Sequence, residues 1–206
     1  LLSRRRPGGG SAHPPPDPAA SPVADGGALS LAGHGLASTS PGQVVTAQLD
    51  GIALDLMIRY DPVATDTGPQ VIFYNGNAAL TGWGLLALPA DPSNPDGTIA
   101  VLAGGLVIDP TPVVLTRGVW QHLVAARRDG RVTLTLDDLT FSVGVLPVNP
   151  VGRRYGHEET TTLGGAIAPD GRPMEGFHGA IARAGIRDLS SGYWIERWDF
   201  GEGQGA

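Results

Sequence analysis

The chain has no cysteine, so neither a disulfide framework nor a thiolate metal site can be built from its 206 residues. Lysine is absent too, and all 14 basic residues are arginine. Beside the abundance of Ala, Gly and Pro, that bias reflects base composition more simply than a demand for guanidinium chemistry. No run approaches the 18 or more consecutive apolar residues of a membrane span, and the start lacks the apolar stretch of a secretory signal. Because residue 1 is Leu rather than Met, a processed chain or a fragment is expected, with any upstream signal outside it. The net charge is −6, and the first 26 residues set Arg4, Arg5 and Arg6 against only Asp17 and Asp25. The acidic excess therefore belongs to the remainder, which argues against nucleic acid, whose phosphates require a basic face.

What is present in quantity is Gly, 31 residues, and Pro, 18 residues, spread along the chain as many short strands with many turns require. Residues 1–26 form a Pro/Gly/Ala/Ser tract too poor in apolar surface to offset the entropy of ordering. It reads as a flexible arm or linker, with its Arg triplet either solvated or set against an anionic surface. Residues 27–206 read as one all-β domain. Ile52–Tyr60 alternates, placing Ile52, Leu54, Leu56 and Ile58 on one face and Asp55, Met57 and Arg59 on the other. Further strand runs are expected at Ala28–Leu31, Val44–Leu49, Val71–Tyr74, Trp83–Leu88, Thr98–Leu102, Leu106–Ile108, Val113–Leu115, Leu139–Val143, Thr160–Leu163 and Phe177–Ile186. With no helical pattern between them, a two-sheet antiparallel sandwich follows.

The strongest local pattern is Gly118–Asp138, GVWQHLVAARRDGRVTLTLDD, two alternating runs joined at Asp129-Gly130. Asp and Gly tolerate the positive φ of a tight turn, so this segment is a β-hairpin by its own chemistry. Trp-x-His-Leu-Val, Asp-Gly and Leu-Thr-Leu-Asp also resemble the best-preserved hairpin of laminin-G-like domains, members of the concanavalin A-like lectin (jelly-roll) fold. IALDLMIRYDP, with Asp55 in the acidic place, QVIFYNGN, GWGLLAL, LGG at Leu163–Gly165 and GFHGAIARAGIRDLSS resemble further family segments in the right order, over roughly residues 28–195. Two departures stand out. Ala182 and Arg183 replace a frequent Asp-Glu, and Asp138 replaces a usual Gly, so no role of the acidic pair carries over.

The same sandwich supports glycoside hydrolases, which need two carboxyls flanking the scissile bond. Their one-strand Glu-x-Asp-x-x-Glu pattern is missing, and adjacent Glu158 and Glu159 would face opposite sides of a strand. No nucleophile elbow, His-Glu-x-x-His or phosphate loop is present either, so a non-catalytic protein is expected. Sugar recognition pairs an aromatic plane with amides and carboxylates, and Tyr74, Asn75, Asn77 and Trp83 are the candidates, against core packing for Trp83 and a plain turn for the Asn residues. Asp91, Asn94 and Asp96, in one loop ending at Gly97, are candidate Ca2+ ligands, against an ordinary proline-containing turn. Arg153 and Arg154 beside Tyr155 are solvated or meet an acidic glycan. His122, in phase with Trp120 and Val124, is expected to be structural. In GYWIERWDF, strand alternation would place Trp194, Trp198 and Phe200 on one face, whereas a helical turn would bring Trp194 and Trp198 together; either way they pack against the sandwich or form a docking strip for a neighbouring subunit.

Three functions remain in competition. The first is an extracellular, cell-surface or virion-surface recognition module for carbohydrate or glycoconjugate, as the resemblance implies. The second is a structural or assembly subunit whose N-terminal arm runs along neighbouring subunits. The third is an atypical glycoside hydrolase.

Overall fold

A computed structural model describes residues 27–33, 37–38, 51–75, 83–89, 96–103, 106–108, 113–145, 161–167, 173–174 and 176–200. The arm, and the strand expected at Val44–Leu49, lie outside them. Among the described residues there are sixteen strands and no helix: β1 Leu29–Ala32, β2 Ala37–Ser38, β3 Ile52–Tyr60, β4 Gln70–Asn75, β5 Trp83–Leu88, β6 Gly97–Ala103, β7 Leu106–Ile108, β8 Val114–Leu115, β9 Trp120–Arg128, β10 Arg131–Leu136, β11 Leu139–Val145, β12 Thr161–Leu163, β13 Ala166–Ile167, β14 Pro173–Met174, β15 His178–Asp188 and β16 Trp194–Asp199. The first sheet runs β1-β15-β3-β9-β10-β11, with β16 also on β15; the second runs β2-β12-β4-β5-β6-β7, with β8 also on β6. All strand pairs within them are antiparallel. This is the expected two-sheet sandwich of jelly-roll type.

Alternation decides which residues fill the space between the sheets. Leu54, Leu56 and Ile58 of β3, Leu123 and Ala125 of β9, and Val132 and Leu134 of β10 meet Phe73, Trp83, Leu85, Ile99 and Val101 of the second sheet in one buried cluster. Burying such side chains stabilises by about 1.5–3 kcal/mol each, which is what holds two sheets face to face. The β9–β10 connection is the tight turn the sequence demands, with φ of 51° at Asp129 and 70° at Gly130.

Two bulges alter what alternation alone would give. In β4 the register shifts between Val71 and Phe73, so Ile72 and Phe73 both enter the main core. Val71 and Tyr74 go instead to a second buried cluster with Leu86, Ala100, Leu102 and Ala166. At β15–β16, Ile186 pairs with Glu196 but Arg187 pairs with Trp194, leaving Ile195 as the extra residue. The bulge reverses the phase of Trp194. It therefore lies on the outer face over Gly185, while Trp198 and Phe200 pack against the core, which corrects the expectation that all three share a face.

Glu196, opposite inward-facing Ile186, has its Oε2 buried without a hydrogen-bond partner among the described residues. Burial pushes its carboxyl above the ordinary value of 4.5. A raised folded-state value means the native state binds the proton more tightly than the unfolded chain, so ionised Glu196 weakens the fold at neutral pH. Glu196→Gln is expected to melt slightly higher than the parent at neutral pH, with the advantage shrinking as pH falls toward 4.5. Thermal melts of both proteins across that range check it.

Candidate functional site

The outer face of the first sheet is built around Asp55, which points away from the core because it is out of phase with Leu54 and Leu56. Directly across from it are Gly185 on β15 and Val124 on β9, and the diagonal neighbours Arg183, Arg187 and His122 reach it. His122 Nε2–H donates to Asp55 Oδ1 at 2.8 Å. Arg187 Nη2 stands 2.9 Å from Oδ2, and Arg183 Nη2 stands 3.5 Å from Oδ1. The Asp55 side chain is only 1% exposed. Burial alone would raise its carboxyl, but the hydrogen bond and charge of His122, then the charges of Arg187 and Arg183, outweigh burial and hold it below the ordinary 3.8. A carboxylate kept ionised in this way orients its partners and is a poor general acid.

Around this centre lies a layer of cations on aromatic rings. The guanidiniums of Arg187 and Arg197 sit 5.6 and 5.4 Å from the Trp194 ring centre, and Arg59 sits 5.3 Å from that of Trp120. Such contacts contribute about 0.5–2 kcal/mol. Gly185 makes room for this layer, since a Cβ there would lie 2.5 Å from Trp194 Cζ3. Two of the arginines are neutralised nearby, Arg59 by Asp61 at 2.8 Å and Arg197 by Asp199 at 2.6 Å.

Toward the β9–β10 turn the same face opens into a pocket of about 450 Å³, lined by Ala126, Arg128, Asp129, Arg131, Thr133 and Leu189. Ala126, Arg128, Arg131 and Thr133 all project outward by alternation, since Arg127, Val132 and Leu134 between them are buried. A small floor residue, a leucine wall and a polar rim give a hollow within the usual size range of small-ligand sites, about 300–1,000 Å³.

The candidates from sequence fare differently. Trp83 is 0% and Tyr74 1% exposed, so neither ring is presented to a ligand: Trp83 fills the main core and the β4 bulge turns Tyr74 into the second cluster. Asn75 ends β4 with its side chain outside the described residues, as Asn77 is entirely. Asp91 and Asn94 are outside them as well. Asp96 Oδ1 accepts a hydrogen bond from Arg117 N–H at 3.1 Å, and among the described residues no group of three His, Asp or Glu side chains is placed to hold a metal ion. Arg153, Arg154 and Tyr155 lie outside as well. His178, like His122, faces a carboxylate, its Nδ1 standing 2.8 Å from Asp66 Oδ2.

The pocket was present in the sequence as Arg-Asp-Gly-Arg, where the turn signal masked the paired arginines. The Asp55 network had a fainter signal, Arg183 and Arg187 spaced to share a strand face. Arg183 is itself one of the departures from the laminin-G-like pattern, and here it turns toward Asp55.

The fold and this face define an all-β sandwich with a polar, cation-rich outer sheet. No family model matches the chain, and no curated protein matches it either. Among solved structures it is similar to the enzymatically active domain of tailspike protein 2 from bacteriophage CBA120, with a TM-score of 0.59, 15% identity, and coverage of 84% of this chain and 30% of that one. It is also similar to the K499G mutant of the NanB sialidase from Streptococcus pneumoniae, with a TM-score of 0.54, 16% identity, and coverage of 79% of this chain and 26% of that one. The chain thus spans less than a third of either protein, and at these identities the likeness is one of fold. No helix among the described residues is long and apolar enough to cross a membrane.

Proposed function

We propose that this protein is a non-catalytic recognition module that binds carbohydrate on the outer face of its first sheet, displayed extracellularly or on a cell or virion surface. The observation that carries the reading is the pocket at the β9–β10 turn, where hydroxyl, carboxylate and guanidinium groups surround an apolar floor. Sugars present that combination in reverse, hydroxyls at the edge and C–H groups on the ring face. The site stands on paired strands and a tight turn, so little ordering opposes binding. Asp55, the carboxylate at the centre of the face, is held ionised and ion-paired, which suits a scaffold better than proton transfer.

The test is a glycan array probed with the 206-residue chain and with Ala126→Trp, which fills the pocket floor from a half-buried outward position. At least one glycan class is expected to bind, and the variant to bind it at least tenfold more weakly while melting near the parent temperature. An array with no bound glycan overturns the proposal, and so does a variant that binds as well as the parent. Running the array with calcium and with a chelator tests a cation at Asp91, Asn94 and Asp96 separately.

A further inference from the structure

We infer that the pocket at the β9–β10 turn selects sugars bearing a carboxylate, with Arg128 and Arg131 as the residues that hold the acid group. The inference rests on the carbohydrate reading above and narrows it to an anionic class. Arg128 and Arg131 are direct cross-strand partners on either side of the two-residue turn. Like charges directly opposite one another in a sheet destabilise it, and this pair stands at the closing rung of the hairpin, where the strands come together most rigidly. Both side chains are exposed on the pocket rim, and neither is in an ion pair among the described residues. An anion lying between them relieves the repulsion and receives a guanidinium from each side.

The contrast with the other arginines of this face sharpens the assignment. Arg183 and Arg187 are turned in toward Asp55, Arg59 toward Asp61, and Arg197 toward Asp199. Their charge is spent within the sheet, whereas that of Arg128 and Arg131 is directed at the hollow. A planar carboxylate matches the fork of a guanidinium, and bonds of that kind are about twice as strong as those between neutral groups. Beside the acid group, the Thr133 hydroxyl and the Asp129 carboxylate suit sugar hydroxyls, and Ala126 and Leu189 suit a ring face. The rest of the chain selects against densely charged polymers. Its net charge of −6, and Asp129 on the same rim, repel a nucleic acid that would place phosphates all along the face.

The experiment measures the affinity of the 206-residue chain for oligogalacturonate, alginate oligomers, hyaluronan oligomers and sialyllactose. Each is run beside a neutral counterpart, the methyl ester or, for sialyllactose, lactose, with polyglutamate as an acidic polymer lacking sugar. At least one acidic sugar is expected to bind ten times more tightly than its neutral counterpart and than polyglutamate, and added salt is expected to weaken it. Arg128→Gln with Arg131→Gln is expected to abolish the preference for acid and the salt dependence while leaving the melting temperature unchanged or raised. Equal binding of acid and neutral forms, or a preference that survives the double substitution, overturns the inference and leaves the carbohydrate reading standing. Polyglutamate binding as tightly as the acidic sugars overturns it as mere charge attraction. If neither the acidic nor the neutral sugars bind, this inference falls, and the carbohydrate reading stands or falls by the glycan array.

Discussion

Asp55→Ala is expected to lower the unfolding free energy by about 3–5 kcal/mol at neutral pH, the usual result of removing one partner from a buried ion pair. The loss comes from what stays behind. Arg183 and Arg187 have side chains only 16% and 21% exposed, and without Asp55 both guanidiniums face the outer sheet with their shared counter-charge gone. His122 loses the acceptor of its Nε2–H at the same time. Asp55→Asn keeps an oxygen of similar shape in place and is expected to fall between the two. The acid limb gives a second reading. Asp55 has its folded-state value lowered below 3.8, so the unfolded chain takes up the proton first, and its stabilisation is complete above that value and lost as pH falls through the folded one. Parent and Asp55→Asn should therefore differ at neutral pH and converge as pH falls through the folded-state value. Urea unfolding followed by circular dichroism from neutral pH down the acid limb measures this. Combining Asp55→Leu with Arg183→Met and Arg187→Met is expected to recover most of the loss, because apolar replacements strand no charge. A triple variant as unstable as Asp55→Ala would show that the loss is one of packing.

How much of this was legible in the sequence depended on the distance over which each cause acts. The β9–β10 hairpin could be read outright, since its turn is fixed by Asp129 and Gly130 and its faces by alternation within a few residues. The bounds of β3 were equally local. Its burial was not, because the face opposite Leu54 and Leu56 carries Asp55 at 0% exposure, covered by arginines more than a hundred residues further along the chain. Bulges erased the rest. One extra residue at Ile195 moved Trp194 to the opposite face from Trp198, and the shift between Val71 and Phe73 moved Tyr74 out of the main core, changes that no count of alternating residues contains. Tyr74, Asn75, Asn77 and Trp83 match a sugar site in residue type alone, an aromatic plane beside amides, and residue type does not say which rings are buried. The hollow formed instead where two arginines and a threonine project from a hairpin whose sequence announces only a turn.

Trp83→Ala is expected to cost about 3–5 kcal/mol, the range for deleting a buried tryptophan when its surroundings cannot collapse to fill the space. Trp83 is fully buried in the main cluster, and on β5 it lies between Asn75 and Ala103 of its neighbouring strands. With total stability of about 5–15 kcal/mol for a domain of this kind, such a loss brings the protein close to unfolding at ordinary temperatures. Trp83→Phe is expected to cost much less than the alanine change. The indole Nε1–H is buried without a hydrogen-bond partner among the described residues, so phenylalanine removes an unsatisfied donor while keeping most of the apolar volume. The pair of variants separates a packing residue from a ligand platform. A stacking residue would lose glycan affinity on both substitutions with little change in unfolding, whereas Trp83→Phe here is expected to bind any glycan of the parent with unchanged affinity. Denaturant unfolding and binding titrations on the two variants distinguish these results, and a Trp83→Ala protein as stable as the parent would remove Trp83 from the core on which the outer face is built.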